Sequence, residues 1–157
     1  MKQKYILIVW AVVLAVGSAA LQLKATDVPF LLKLWGALIA AAFLITSRFV
    51  VWRSPVQRNI QLSWLALVGI IFALNLLAFL APPFSFLLGV SPYVLWTVGD
   101  GIGYFFTGRD IGWPRMSRWG LLSILTAPLF LIPALSPYYG LAFGIVQVGL
   151  LVIFILM

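Results

Sequence analysis

The chain has no cysteine, no histidine and no glutamate, and its only acids are Asp27, Asp100 and Asp110. Each absence excludes a class of chemistry. Without Cys, His or Glu there is no ordinary ligand set for zinc, copper, haem iron or an iron–sulfur cluster, so no metal or haem cofactor is expected, and a bound lipid is compatible with the composition. No Ser/His/Asp or Cys/His nucleophile can be assembled, which points to a protein without catalytic chemistry. Disulfides are impossible, so bridges say nothing about redox compartment.

Charge is also scarce. Charged residues make up 8% of the chain and apolar residues 64%, with a mean hydropathy of +1.17, where a soluble domain is about half apolar and about a quarter charged. That much apolar surface belongs in a bilayer. A spanning helix needs about 20 apolar residues, and the 157 residues divide into six such blocks, at approximately 5–23, 29–46, 62–80, 84–106, 119–135 and 138–157. In hydrocarbon each span must satisfy its own backbone hydrogen bonds, so helices are expected. The sequence therefore reads as an all-α polytopic membrane protein: one transmembrane domain over 1–157, a six-helix bundle with short loops and no soluble domain. One alternative has five spans. Lys2, Lys4, the apolar run Ile6 to Val16 and the small residues Gly17 to Ala20 resemble a secretory signal with a Ser-x-Ala cleavage site.

The ten basic residues gather in alternate gaps. One side of the membrane receives Lys2, Lys4, Arg48, Arg53, Arg58, Arg109, Arg115 and Arg118; the other receives Lys24 and Lys33. Cytoplasmic loops carry the Lys/Arg excess, so both termini are expected in the cytoplasm, with the chain in the inner (cytoplasmic) membrane. The net charge of +7 then needs no nucleic acid. Arg48, Arg53, Arg58, Arg109, Arg115 and Arg118 form a cytoplasmic basic patch suited to anionic lipid headgroups. Trp52, Trp64, Trp113 and Trp119 fall at the predicted cytoplasmic helix ends, where indole rings anchor at headgroup depth.

The opposite side is nearly bare. Ala81-Pro82-Pro83 and Ser136-Pro137 predict two tight helical hairpins, because proline disfavours helix continuation. Small residues recur at four-residue spacing: Ala11, Ala15 and Ala19; Gly36 and Ala40; Gly99 and Gly103; Gly140 and Gly144. Such faces let helices approach closely in lipid, and they predict a packed bundle with faces left for a partner.

Three polar side chains are expected inside spans: Asp100, Asn75 and Gln147. A carboxyl within the membrane is a functional-site candidate by default. Trp96 and Tyr104, at i−4 and i+4, share its helix face and are candidates for contact with a hydrophobic ligand such as a quinone, carotenoid or lipid. Two readings of Asp100 compete: a proton- or cation-sensitive site, and a plain ion pair to Arg109, Arg115 or Arg118. Asn75 and Gln147 are expected to make interhelical hydrogen bonds. Asp100-Gly101 resembles the start of the Asp-Gly signature of CDP-alcohol phosphotransferases, but the further aspartates of that signature are missing downstream, where only Asp110 occurs. Residues 107–118 read as a polar loop broken by Gly and Pro.

These features predict a non-catalytic accessory or structural subunit that packs against other membrane proteins, or against itself, and lipids. The alternatives are a small homo-oligomeric transporter or channel with Asp100 in its pathway, and a binder of a hydrophobic ligand.

Overall fold

A computed structural model describes residues 2–24, 28–81, 83 and 92–156, so Asp27 lies outside the described residues. It contains α1 (Lys2–Leu23), α2 (Val28–Ser47), α3 (Pro55–Leu80), α4 (Pro92–Asp110), α5 (Pro114–Thr126) and α6 (Tyr139–Leu156), with two 3-10 segments, Ala127–Leu131 and Pro133–Tyr138, between α5 and α6. Among the described residues there is no strand. Four helical stretches, Tyr5–Leu23, Pro29–Ser47, Pro55–Leu80 and Pro133–Leu156, are long and apolar enough to cross a membrane. Large side chains such as Leu44, Ile70, Leu125 and Ile145 are exposed on the helix surfaces, where lipid is the compatible solvent. The chain is a helical membrane protein.

Several expected boundaries move. α3 begins seven residues before Leu62, because Pro55 suits the first helical position, where its missing N–H costs nothing. The start of the expected 84–106 span, residues 84–91, lies outside the described residues, and α4 runs on to Asp110. The fifth block is not one α-helix from Trp119 to Leu135: α5 starts at Pro114 and changes to 3-10 geometry at Ala127. Pro128 and Pro133 lack the N–H that an α-helical turn requires. Ser136 and Pro137, expected to form a bare hairpin link, lie inside the second 3-10 segment.

The chain packs as two compact units, Met1–Trp52 with Pro137–Met157, and Arg53–Ser136. In the first, α1 packs against both α2 and α6. The Trp35 ring of α2 occupies the space that a side chain on Gly17 would fill. Further along the same pair of helices, Trp10 meets Phe43 edge to face at 5.0 Å, and Tyr5 stacks at 5.4 Å on Phe49, just beyond the end of α2. On the other side of α1, Ser18 lies against Gly144 and Gln22 against Gly140. The Gln22 amide donates to the Pro137 carbonyl at 2.8 Å and its oxygen accepts from the Leu141 N–H at 3.0 Å. The second bond satisfies one of the first N–H groups of α6, which no intrahelical carbonyl can reach.

In the second unit α4 lies between α3 and α5. The α4–α5 turn is closed by a Schellman motif: the Trp113 N–H bonds the Gly108 carbonyl at 2.6 Å and the Gly112 N–H bonds the Arg109 carbonyl at 3.2 Å. Gly112 supplies the left-handed residue the motif needs, with φ +68°, and Pro114 then opens α5. The expected polar loop of 107–118 is thus mostly helix, with only residues 111–113 outside α4 and α5.

Candidate functional site: the buried acid of α4

Asp100 is positioned by glycines on two faces of α4. Gly99 and Gly103 admit side chains of α3, with Ile71 against the first and the Trp64 ring against the second. Gly101 and Gly108 lie nearly opposite on the helix and admit α5. A Cβ on Gly101 would come within 2.7 Å of the Gly120 carbonyl oxygen, and one on Gly108 within 2.5 Å of the Ser117 nitrogen. Two hydroxyls lock the second face: Ser117 donates to the Phe105 carbonyl at 3.0 Å and Ser123 to the Thr97 carbonyl at 3.1 Å. As the contacts advance along α3 or α5 they retreat along α4, so both neighbours run antiparallel to it.

Asp100 sits about midway along α4, roughly 12 Å from Pro92 and roughly 15 Å from Asp110 at 1.5 Å rise per residue. It is 5% exposed, and its Oδ2 has no hydrogen-bond partner. Thr97, one turn earlier, is 0% exposed, and its hydroxyl also lacks a partner. The ion pair to Arg109 does not form: Arg109 pairs instead with adjacent Asp110 at 3.3 Å on the surface and lies over the Phe106 ring at 4.7 Å. That is the one salt bridge among the described residues. Arg109 is nine residues along the helix from Asp100, beyond the reach of its side chain, whereas Asp110 is its neighbour.

Of the predicted ligand contacts, Tyr104 is buried beside Trp64, the ring centroids 5.4 Å apart, and Trp96 is half-buried. Trp64, expected at a helix end, packs against α4. It lies well inside α3, donates to the Thr107 hydroxyl at 2.8 Å and fills the notch at Gly103. Asn75 does not bridge helices: its amide donates to the Ile71 carbonyl of its own helix at 2.8 Å. Gln147 is fully buried on the face of α6 that also carries Gly140, Phe143, Leu150 and Phe154.

The expected packing residues divide. Gly99, Gly103, Gly140 and Gly144 all lie in helix contacts, and Ala11 is buried, while Ala15, Ala19 and Ala40 are exposed and Gly36 is half-buried. Ala15 and Ala19 instead line a groove of about 530 Å³ between α1 and α6, together with Ser18, Gly140, Gly144 and Gly149. The Ser18 hydroxyl has no hydrogen-bond partner there. Within the second unit, Arg53, Arg58, Arg109, Arg115 and Arg118 are exposed at one end, because antiparallel packing brings the start of α3, the end of α4 and the start of α5 together. Arg48 belongs to the first unit and is also exposed.

Thr97, Gly120 and Ser123 belong to no motif legible in the sequence, although Ser117, Gly120 and Ser123 recur every three residues, the spacing of one face of α5. No family model, curated protein or solved structure matches the chain.

Proposed function

We propose that the protein is a non-catalytic subunit of the inner (cytoplasmic) membrane, spanning it six times with both termini in the cytoplasm, and that it packs against another membrane protein or a second copy of itself. The observation that carries this reading is the α1–α6 groove, open, almost wholly apolar and floored by small residues. In lipid, where apolar side chains gain nothing by leaving the tails, close backbone approach at small residues is a main source of helix association. A further helix laid into the groove would find that surface.

Six crossings are supported by the second unit. α4 is about 28 Å long and α5 with its first 3-10 segment about 30 Å, both near the thickness of the hydrocarbon core. Thr97, Asp100, Tyr104 and Thr107 of α4 lie against protein, the arrangement in which a membrane helix tolerates polar side chains. α1 fits a resident helix better than a removable signal, since Gly17 and Ser18, beside the predicted cleavage site, are buried against α2 and α6. The basic end of the second unit suits the cytoplasmic leaflet and its anionic headgroups.

Purification in mild detergent followed by native mass spectrometry tests the subunit role. A second protein or a second copy is expected to travel with the chain. A stable monomer with neither would contradict it.

A further inference from the structure

One face of α4 carries Tyr93, Thr97, Asp100, Tyr104 and Thr107. The steps between them are four, three, four and three residues, the spacing that keeps side chains on one stripe of a helix. Every other residue of this stripe is a hydroxyl, and the acid stands in its centre. From first to last the stripe covers about 21 Å of the helix at 1.5 Å per residue, most of a hydrocarbon core. By angle it falls between the Gly99–Gly103 face that takes α3 and the Gly101–Gly108 face that takes α5. Thr97, Asp100 and Tyr104 are buried; Tyr93 and Thr107 are half-buried. At the arginine end the row is continued by the Trp64 indole on the Thr107 hydroxyl and by Gln61, buried one turn earlier on α3.

A packing role alone does not account for these residues. Glycine and alanine would serve the helix contacts, and an orphaned buried polar atom is destabilising. Two such atoms, Asp100 Oδ2 and Thr97 Oγ1, lie one turn apart on the stripe. No counter-charge is at hand. α3 presents Gln61, Trp64 and Ile71, α5 presents Ser117, Gly120 and Ser123, and the first 3-10 segment presents Ala127 and Phe130; the arginines of α3 and α5 are exposed at the helix starts. A hydroxyl both donates and accepts, and a carboxyl becomes a donor when protonated, so a row of such groups can hand a proton along.

We propose that this stripe is a proton path through the second unit, with Asp100 as its central relay. A proton from water at one end bonds to a hydroxyl oxygen, which releases its own proton to the next group. Asp100 Oδ2 gains an O–H bond and gives up that proton towards the other end, so one proton enters and one leaves with no net change in the side chains. Two carbonyl-bound hydroxyls on α5, Ser117 and Ser123, fix the wall opposite α3 and hold the path in register.

The test uses the full chain in phosphatidylcholine vesicles containing a pH-sensitive dye, with valinomycin and a potassium gradient to drive protons inward. Uptake above that of protein-free vesicles is expected. Asp100→Asn, which keeps shape and burial, should return uptake to the protein-free rate; Asp100→Glu should retain part of it, and Thr97→Val should lower it several-fold. Gly69→Ala, in open space on α3, should leave it unchanged. Circular dichroism and elution volume establish that each variant is folded. Wild-type uptake no faster than empty vesicles, or equal uptake by folded Asp100→Asn, overturns the proposal. Neither result bears on the subunit role, which is read from co-purification.

Discussion

At Gly120 of α5 a methyl group would come 2.5 Å from the Gly101 carbonyl oxygen and the Phe105 nitrogen of α4. Backbone cannot rotate away as a side chain can, so the two helices must part. Gly120→Ala is therefore expected to destabilise the protein by about 1–3 kcal/mol, the range for overpacking a filled interface. At Gly99 the neighbour is the end of the Ile71 side chain, which can change rotamer, and Gly99→Ala should cost clearly less. Gly69→Ala meets nothing and should be neutral or slightly stabilising, since alanine is the better helix former. Reversible unfolding in mixed micelles ranks the three; an equal loss at Gly120 and Gly69 would contradict the packing described. The same scale shows what spacing alone hides. Gly99 and Gly103 were legible as a pair because they are four apart, but Gly101 and Gly108 are seven apart, and only the position of α5 reveals them as a second face. Asp100 was legible as a lone acid in an apolar block. Its isolation from Arg109 was not, because Asp110, the next residue, takes that arginine.

The turn between α4 and α5 is the most specific element of the chain. Gly112 alone among the described residues has a left-handed backbone, which costs a side-chain-bearing residue roughly 1–2 kcal/mol. Gly112→Val is expected to lose about that much stability and to loosen the antiparallel pairing of α4 and α5, measured as faster amide exchange at Ile111 to Trp113. Unchanged exchange would show that the Schellman bonds do not hold the turn. Helix existence was readable from apolar run length; helix ends were less so. Pro55 and Pro114 begin helices where the run-length reading placed loops, because proline breaks a helix interior yet fits its first turn. The change from α to 3-10 geometry at Ala127 follows from Pro128 and Pro133, whose effect on the type of helix is set by which carbonyls remain to be satisfied.

For the whole molecule, the arrangement of charge and the packing agree within the second unit: Arg53, Arg58, Arg109, Arg115 and Arg118, assigned to one side by alternation along the sequence, stand at one end of the antiparallel α3–α4–α5 group. Partner choice was not readable at all, since an apolar groove carries its information in shape. The central claim is that the basic connections share the cytoplasmic face of a membrane the chain crosses repeatedly. The chain has no cysteine, so single cysteines can be placed without background. Membrane-impermeant maleimide should label Arg53→Cys and Arg115→Cys only in inverted vesicles, and Ser136→Cys only in intact cells. Labelling of Arg53→Cys and Arg115→Cys from opposite sides, or of either in intact cells, would contradict the account.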